Sequence, residues 1–388
     1  MNSTRIFKLP KSTNNLKETS FITSSYIQEP MISLGFNLFM MKNKEKLEIV
    51  KNLPESQKEI HHIFNIGNIT IPSQPEKSIS GLFINKFFKK QEVDLEDSFF
   101  HVWEILTEFS LLKTKDSIVA LSIGDSPGSA LQSFITYRQL HQSKSSSKDM
   151  YCGLVSLGTE ENIKCYSNAK VYKDTFEKKV SSNSIKLFKK GFLAKVASEF
   201  TKKKQVDLIF CDTELEWFNE NYQEQEAIRL IFGEIIFGLN LLEKEGTLII
   251  KIFDTYTDLT IKAVSIFSSF FKETVIYKPL TSSEALSEKY LIGLNFIHHK
   301  ENLKILQALL KELEKEESFL VNLENYKIDE GTLKEIIQVN QNLSNLQYNI
   351  INKMYAFIQG KNYFGVDYHN QVAIQVEHAE KWMKYFSL

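Results

Sequence analysis

The stretch Ser117-Ile-Val-Ala-Leu-Ser-Ile-Gly-Asp-Ser-Pro-Gly128 decides how the fold is read. Ser117–Ile123 is a short, almost continuous apolar run, as a strand buried on both faces requires. Gly124-Asp-Ser-Pro-Gly128 then makes a tight turn, and Ala130–His141 continues at helical spacing. A strand, a glycine-containing turn and a helix in that order open an α/β unit, in which ligands bind outside the carboxyl ends of the strands. The turn lacks the GxGxxG spacing of a dinucleotide site.

The same alternation extends in both directions. Val102, Ile105, Leu106 and Phe109 recur at helical spacing and predict a helix over Ser98–Leu112. Strands are expected at Met150–Leu157, Val206–Cys211, Gly246–Phe253, Glu273–Lys278 and Tyr290–Phe296. Helices are expected at Ile185–Lys203, Gln223–Leu242 and Thr257–Phe271. This pattern predicts a doubly wound α/β sheet, a Rossmann-like fold. After His299 the strands stop, and Asn302–Glu316, Leu333–Phe357 and Gln371–Phe386 read as helices. Pro10, Pro30, Pro54, Pro72 and Pro75 crowd the first eighty residues, leaving Pro127 and Pro279 for the rest. That opening part is therefore expected to be irregular, with short helical stretches at Glu45–Leu53 and Glu55–Phe64 and partial disorder over residues 1–30. Three segments result: an N-terminal extension over 1–94, an α/β domain over 95–300 and a helical C-terminal appendage over 301–388.

Composition narrows the class. Of 388 residues, 43% are hydrophobic, enough for a sizeable core. The net charge of −1 excludes a uniformly basic nucleic-acid coat, so any nucleic-acid-binding surface must be a local patch. Cys152, Cys165 and Cys211 lack CxxC spacing, and His61-His62 and His298-His299 are adjacent pairs, so neither a disulfide framework nor a metal site is expected. No apolar run reaches a membrane span, and Met1–Leu16 has no signal-peptide core. A soluble protein of a reducing compartment, the cytoplasm, is expected.

Four positions fall at the same end of the predicted sheet. The first is the Gly124–Gly128 turn. Asp212 follows the strand Val206–Cys211, where a turn-forming role competes with a functional one. Lys251 interrupts the apolar run Thr247-Leu-Ile-Ile-Lys-Ile-Phe253; a lysine there is costly unless it is paired or reaches a cleft. Glu288 precedes the last strand.

Arranged in this order, the residues resemble the FtsJ-like (RrmJ-type) RNA ribose 2′-O-methyltransferases, over about residues 95–300. The family's K-x-x-E-[IL] helix appears as His101-Val-Trp-Glu104-Ile105, and its G-x-x-P-G loop is matched by Gly124, Pro127 and Gly128. The strand-end aspartate is matched by Asp212, and the strand lysine, in a G-x-x-[IV]-[IV]-K-x-[FY] context, by Lys251. The closing block is matched by Lys278-Pro-Leu-Thr-Ser282 through Glu288-Lys-Tyr290-Leu291. The helix from Asn221-Tyr-Gln-Glu-Gln-Glu226 through Gly238-Leu239 is similar to the branch carried by large nucleocytoplasmic DNA viruses, of the African swine fever virus type.

The resemblance implies an S-adenosyl-L-methionine (SAM)-dependent enzyme that methylates ribose 2′-hydroxyls of RNA, with capped mRNA among its candidate substrates. Gly124, Asp125, Ser126, Pro127, Gly128 and Asp212 would bind SAM. Lys251 would sit beside the 2′-hydroxyl, as base or positioning group, with Asp212 and Glu288 orienting it. His101 stands where the family has a lysine, although Lys86, Lys89 or Lys90 is an alternative source of that charge. Ser122 and Ser129 replace an acid and a glycine. These departures keep a second reading open: a degenerate methyltransferase fold acting as an RNA-binding or scaffold subunit of a capping or transcription assembly. If the protein is viral, its place is the host cytoplasm or the virion. Two surfaces are weighed for RNA. The lysine-rich stretch between Lys164 and Lys204 is either a solvated face or a phosphate-binding rim. Phe83, Phe87, Phe88, Phe99 and Phe100 are either core or a base-stacking platform.

Overall fold

The computed structural model describes residues 5–387 apart from 13–15, 33, 55–58, 90–92, 94, 114, 125–127, 143–147, 158–159, 167–204, 213–216, 298, 314–317 and 362–364. The strands are β1 (Ile6–Leu9), β2 (Phe21–Ser24), β3 (Val119–Ile123), β4 (Met150–Leu157), β5 (Glu160–Tyr166), β6 (Val206–Cys211), β7 (Leu242–Ile252), β8 (Phe271–Tyr277), β9 (Lys289–Phe296) and β10 (Phe319–Leu323). The main helices are α1 (Leu34–Lys44), α2 (Ile79–Phe87), α3 (Asp97–Glu108), α4 (Ser129–His141), α5 (Gln223–Leu241), α6 (Asp258–Ser269), α7 (Lys300–Leu313), α8 (Glu330–Gly360) and α9 (Val366–Phe386). Among the described residues no helix is long and apolar enough to cross a membrane. The helix expected over Ile185–Lys203 lies outside the described residues, as does nearly all of the lysine-rich stretch.

The chain forms two compact units, neither of them one continuous segment. The first comprises Met1–Leu34, Leu112–Lys278 and Glu288–Asn340; the second comprises Gly35–Leu111, Pro279–Ser287 and Gln341–Leu388.

The first unit is built on an eight-stranded sheet of order β1-β8-β9-β7-β6-β3-β4-β5. β4, β3, β6 and β7 run parallel, and β9, β8, β1 and β5 pair antiparallel to their neighbours. Every residue of β3 and β6 is buried, which is why both read as apolar runs. The chain passes from β3 through α4 to β4 and later returns to β6 on the other side of β3. The strand order therefore reverses at β3 and β6, making their carboxyl ends the switch point where open α/β sheets bind ligands. The sheet carries α5 and α6, and α5 is covered in turn by α7, whose Leu303, Leu306, Leu309 and Leu313 form one buried stripe. A buried Arg138–Asp149 pair fastens α4 to the start of β4: Arg138 Nε donates to Asp149 Oδ2 at 2.8 Å and Nη2 to Oδ1 at 3.0 Å.

Two sequence expectations are corrected here. Within the part expected to be irregular, residues 6–9 form a strand: β1 pairs with β8 in the register Ile6↔Tyr277, burying Phe7 and Leu9. Strands also do not end at His299, because β10 pairs with β2 in a two-stranded ribbon. Strands this short carry little periodic signal of their own; their partners and the helices beneath them stabilise them.

The second unit is largely helical. α2, α3 and α9 enclose an aromatic core in which Phe83 contacts Phe87, Phe99, Phe100, Trp103 and Trp382 at ring distances from 4.6 to 6.3 Å. Phe83, Phe99 and Phe100 are fully buried, which removes the base-stacking alternative for these phenylalanines. Residues 279–287 belong to this unit although β8 and β9 flank them in sequence. Their anchor is Glu104 on α3. Its Oε1 accepts from Thr281 N–H (2.9 Å), Thr281 Oγ1 (2.8 Å) and Trp382 Nε1 (2.8 Å), and its Oε2 from Leu280 N–H (2.7 Å). Gly67 lies so close that a Cβ there would meet the Leu280 carbonyl oxygen at 1.6 Å, so no other residue fits that position.

Candidate functional site

Strand register gathers the candidate residues. β6 pairs with β7 as Cys211↔Ile250, so the next residues, Asp212 and Lys251, lie side by side. Lys251 Nζ lies 2.6 Å from Asp212 Oδ1, and 11% of each side chain is exposed. Such a pair is costly to desolvate and persists where geometry or function requires it. β6 pairs with β3 as Ile123↔Cys211, and the Asp212 N–H donates to the Ile123 carbonyl at 3.0 Å, just before Gly124. β7 pairs with β9 as Lys251↔Tyr290 and Ile252↔Lys289, which brings Glu288, one residue before β9, to the same end of the sheet. The half-buried Glu288 has its carbonyl held by Lys278 Nζ at 2.7 Å.

The turn after β3 is bounded by two glycines in the left-handed region, Gly124 (φ 74°) and Gly128 (φ 102°). A side chain at either position would be strained, which explains the glycines independently of any ligand. Gly128 directly precedes α4 as its N-terminal cap residue. Asp125, Ser126 and Pro127 lie outside the described residues. His101 lies on α3 in the second unit, 4% exposed. Lys86, an alternative to it, is held in that unit by hydrogen bonds from Nζ to Ser387 Oγ (2.8 Å) and the Ser387 carbonyl (3.3 Å).

The segment after β7 is held as firmly as the strand. Glu224, in the first turn of α5, accepts three bonds at Oε1: from Tyr256 N–H (2.9 Å), Thr257 N–H (2.8 Å) and Thr257 Oγ1 (2.8 Å). Burial pushes this carboxyl above its ordinary value, Asp254 adds to that, and the bonds from Thr257 and Tyr256 oppose it. Asn340 accepts from Thr255 Oγ1 at 2.6 Å and donates to the Thr255 carbonyl at 2.8 Å. The Phe253 carbonyl accepts from the buried Lys289 ammonium. Cys211 is no rival nucleophile: burial, then the charges of Glu234 and Asp212, hold its thiol well above the usual range.

Sequence reasoning missed Lys289, Glu224 and the loop before α5. Lys289 was hidden by its place at a strand start, and Glu224 by an ordinary helix N-terminal turn. In the loop, Trp217 packs edge-on against Phe253, with ring centroids 4.8 Å apart, and the adjacent Phe218 is exposed. The signal available for it was an aromatic pair inside the otherwise polar stretch Glu216-Trp-Phe-Asn-Glu220.

Comparison with known proteins bears on this geometry. A model of the FtsJ-like methyltransferase family matches residues 98–296, just over half of the chain. Cap-specific mRNA (nucleoside-2′-O-)-methyltransferase 2 of Drosophila melanogaster is 29% identical over 119 residues, 30% of this chain and 17% of that protein. Probable methyltransferase EP424R of African swine fever virus (isolate Pig/Kenya/KEN-50/1950) is 37% identical over 97 residues, 24% of this chain and 22% of that protein. The matches thus span less than a quarter of these curated relatives. Among solved structures, a ribosomal RNA methyltransferase, putative, from Plasmodium falciparum aligns with 53% of this chain and all of its own, at 15% identity and a TM-score of 0.36.

Proposed function

Because the chain belongs to the FtsJ-like methyltransferase family, we propose that it methylates the ribose 2′-hydroxyl of RNA, with the cap-proximal nucleotides of mRNA as the favoured substrate. The observation that carries this reading is the Lys251–Asp212 pair, held at 2.6 Å at the switch point of the sheet, beside the Gly124–Gly128 turn. The glycines that bound the turn at the switch point, free of side chains, fit a nucleoside-type methyl donor brought close to backbone. We assign that donor as SAM, which when bound supplies an electrophilic sulfonium methyl.

The chain's own residues then have definite tasks. Lys251, paired with a carboxylate, donates to the ribose oxygen and aims it along the line of attack, and the hydroxyl proton leaves to the Asp212 carboxylate or to solvent as the oxygen–carbon bond forms and the sulfonium carbon–sulfur bond breaks. Asp212 and Glu288 keep the ammonium on that line. The buried neighbours Ile250 and Ile252 keep the base of the lysine in a dry strand, where a fixed ammonium acts more strongly than in water. His101 takes the place of the family's first lysine as a hydrogen-bonding rather than a permanently cationic group. RNA, alone or within an assembly of capping subunits, is the partner this assigns, and the cytoplasm the compartment.

The test is transfer of labelled methyl from SAM to a short capped RNA by wild type and Lys251→Ala, with SAM binding measured in parallel. Transfer by wild type that collapses in the variant while SAM binding persists is the expected result. No transfer to capped or uncapped RNA, with no SAM binding, sinks the enzyme reading and leaves an RNA-binding or scaffold role.

A further inference from the structure

Phe218 is 98% exposed, yet its backbone is fixed. Its N–H donates to Glu226 Oε2 at 2.8 Å, and the next N–H, of Asn219, donates to Glu226 Oε1 at 2.9 Å. Both oxygens of one carboxylate on α5 thus hold the chain at this point. On its other side, Trp217 stands edge-on to Phe253 at 4.8 Å, and Phe253 lies two residues beyond Lys251. The loop therefore presents a phenyl ring to solvent beside the end of the strand that bears the lysine.

A phenyl ring left in water forgoes the stabilisation that burial would bring. A loop free to move would fold the ring down; this one is tied with it outward. In its loop the ring is followed by Asn219 and the exposed Glu220, so among the described residues of that loop it is a single exposed apolar point. A protein interface of ordinary size buries on the order of 800 Å² per partner and needs more than one such point. A single flat π-surface suits it better, and unpaired bases stack on exposed aromatic side chains in this way.

We propose that Phe218 is a stacking platform for an unpaired base of the RNA, next to the nucleotide whose ribose is methylated. This rests on the RNA-methylating reading above and adds to it a residue that grips the substrate through a base, whatever that base is. Sequence tolerance follows, since every base has a π-face.

The test uses the full chain and a short single-stranded RNA with 2-aminopurine beside the target nucleotide, followed by fluorescence and by methyl transfer. Wild type should bind with quenching, and Phe218→Ala should bind about tenfold more weakly and without it. Phe218→Tyr should restore both. An abasic nucleotide in place of the 2-aminopurine should weaken wild type by a similar factor and leave Phe218→Ala unchanged. The KM for RNA should rise in Phe218→Ala with kcat kept within about twofold, the pattern of a lost binding contact. Because the side chain is exposed, an unchanged melting temperature is the folding control. Equal affinity and quenching for wild type and Phe218→Ala, with methyl transfer intact, overturns the platform and spares the enzyme reading. A wild type that neither binds nor methylates RNA overturns both.

Discussion

Lys251 Nζ and Asp212 Oδ1 lie 2.6 Å apart although their residues stand 39 positions apart in sequence, a contact fixed by the Cys211↔Ile250 register of two parallel strands. The methyl transfer proposed above and the stability of the fold place separable demands on this contact, which substitution tells apart. Lys251→Met should reduce methyl transfer by a factor on the order of 10²–10⁴ while leaving SAM affinity nearly unchanged. Asp212→Asn removes the counter-charge from a nearly buried ammonium and should also destabilise the fold, by about 3–5 kcal/mol. Single-turnover transfer beside urea melts of both variants checks this. An Asp212→Asn protein as stable as wild type would mean that the ammonium finds another partner.

Glu104 gives a prediction confined to the second unit. Its carboxylate accepts from four donors, three of the bonds buried and the one from Leu280 N–H half-buried, spread over both oxygens. Glu104→Ala strands all four and should cost about 3–5 kcal/mol. Glu104→Gln turns one oxygen into a donor facing another donor and should cost about 1–3 kcal/mol. Urea midpoints of the two variants should fall in that order below wild type.

Glu224 predicts a pH dependence with a definite sign. Its folded pKa is raised above the ordinary 4.5, first by burial. The folded chain therefore holds this proton more tightly than the unfolded chain. The stabilisation is fully present below the ordinary carboxylate range and is lost as pH rises through the raised value. Glu224→Gln can keep all three bonds, because they meet at one oxygen, and it does not titrate. The melting temperature of the variant relative to wild type should therefore rise between about pH 4 and pH 8. A difference constant across that range would mean that the carboxyl titrates as it does in the unfolded chain.

Arg138 supplies a prediction about shape. Besides its two bonds to Asp149, Nη1 donates to the carbonyls of Leu112 (2.6 Å) and Lys115 (2.9 Å). Lysine keeps the charge but not the planar fork. Arg138→Lys should lower thermal stability clearly, and Arg138→Ala by about 3–5 kcal/mol. A Lys variant that melts with wild type would show that charge alone holds α4 to β4.

Much of the sheet is legible in the sequence because its central strands are buried on both faces. Runs such as Val206–Cys211 need no knowledge of their neighbours. Lys251 stands out for the same reason, as a charge inside an apolar run. Its partner is less legible: Asp212 reads equally as a turn former until the register is known. β1, β2 and β10 escape notice because four or five residues show no period, and their reason for being strands lies in residues far away. Glu104 is visible as a motif residue, but its four donors come from residues 280, 281 and 382, beyond any local pattern. Phe218 is hidden because exposure, which gives it meaning, is not written in residue type.

The pairing of β1 with β8 has a consequence for the making of the protein. Residues 6–9 leave the ribosome long before residues 271–277, their partners. At about 5–20 residues per second, the interval is on the order of tens of seconds. During it, Ile6-Phe-Lys-Leu9 has no native edge to join, and when β8 emerges the strand that lies between it and β7, β9, is still to come. An unpaired strand edge invites association with other chains. Residues 6–9 are thus fixed only after strands that are made much later.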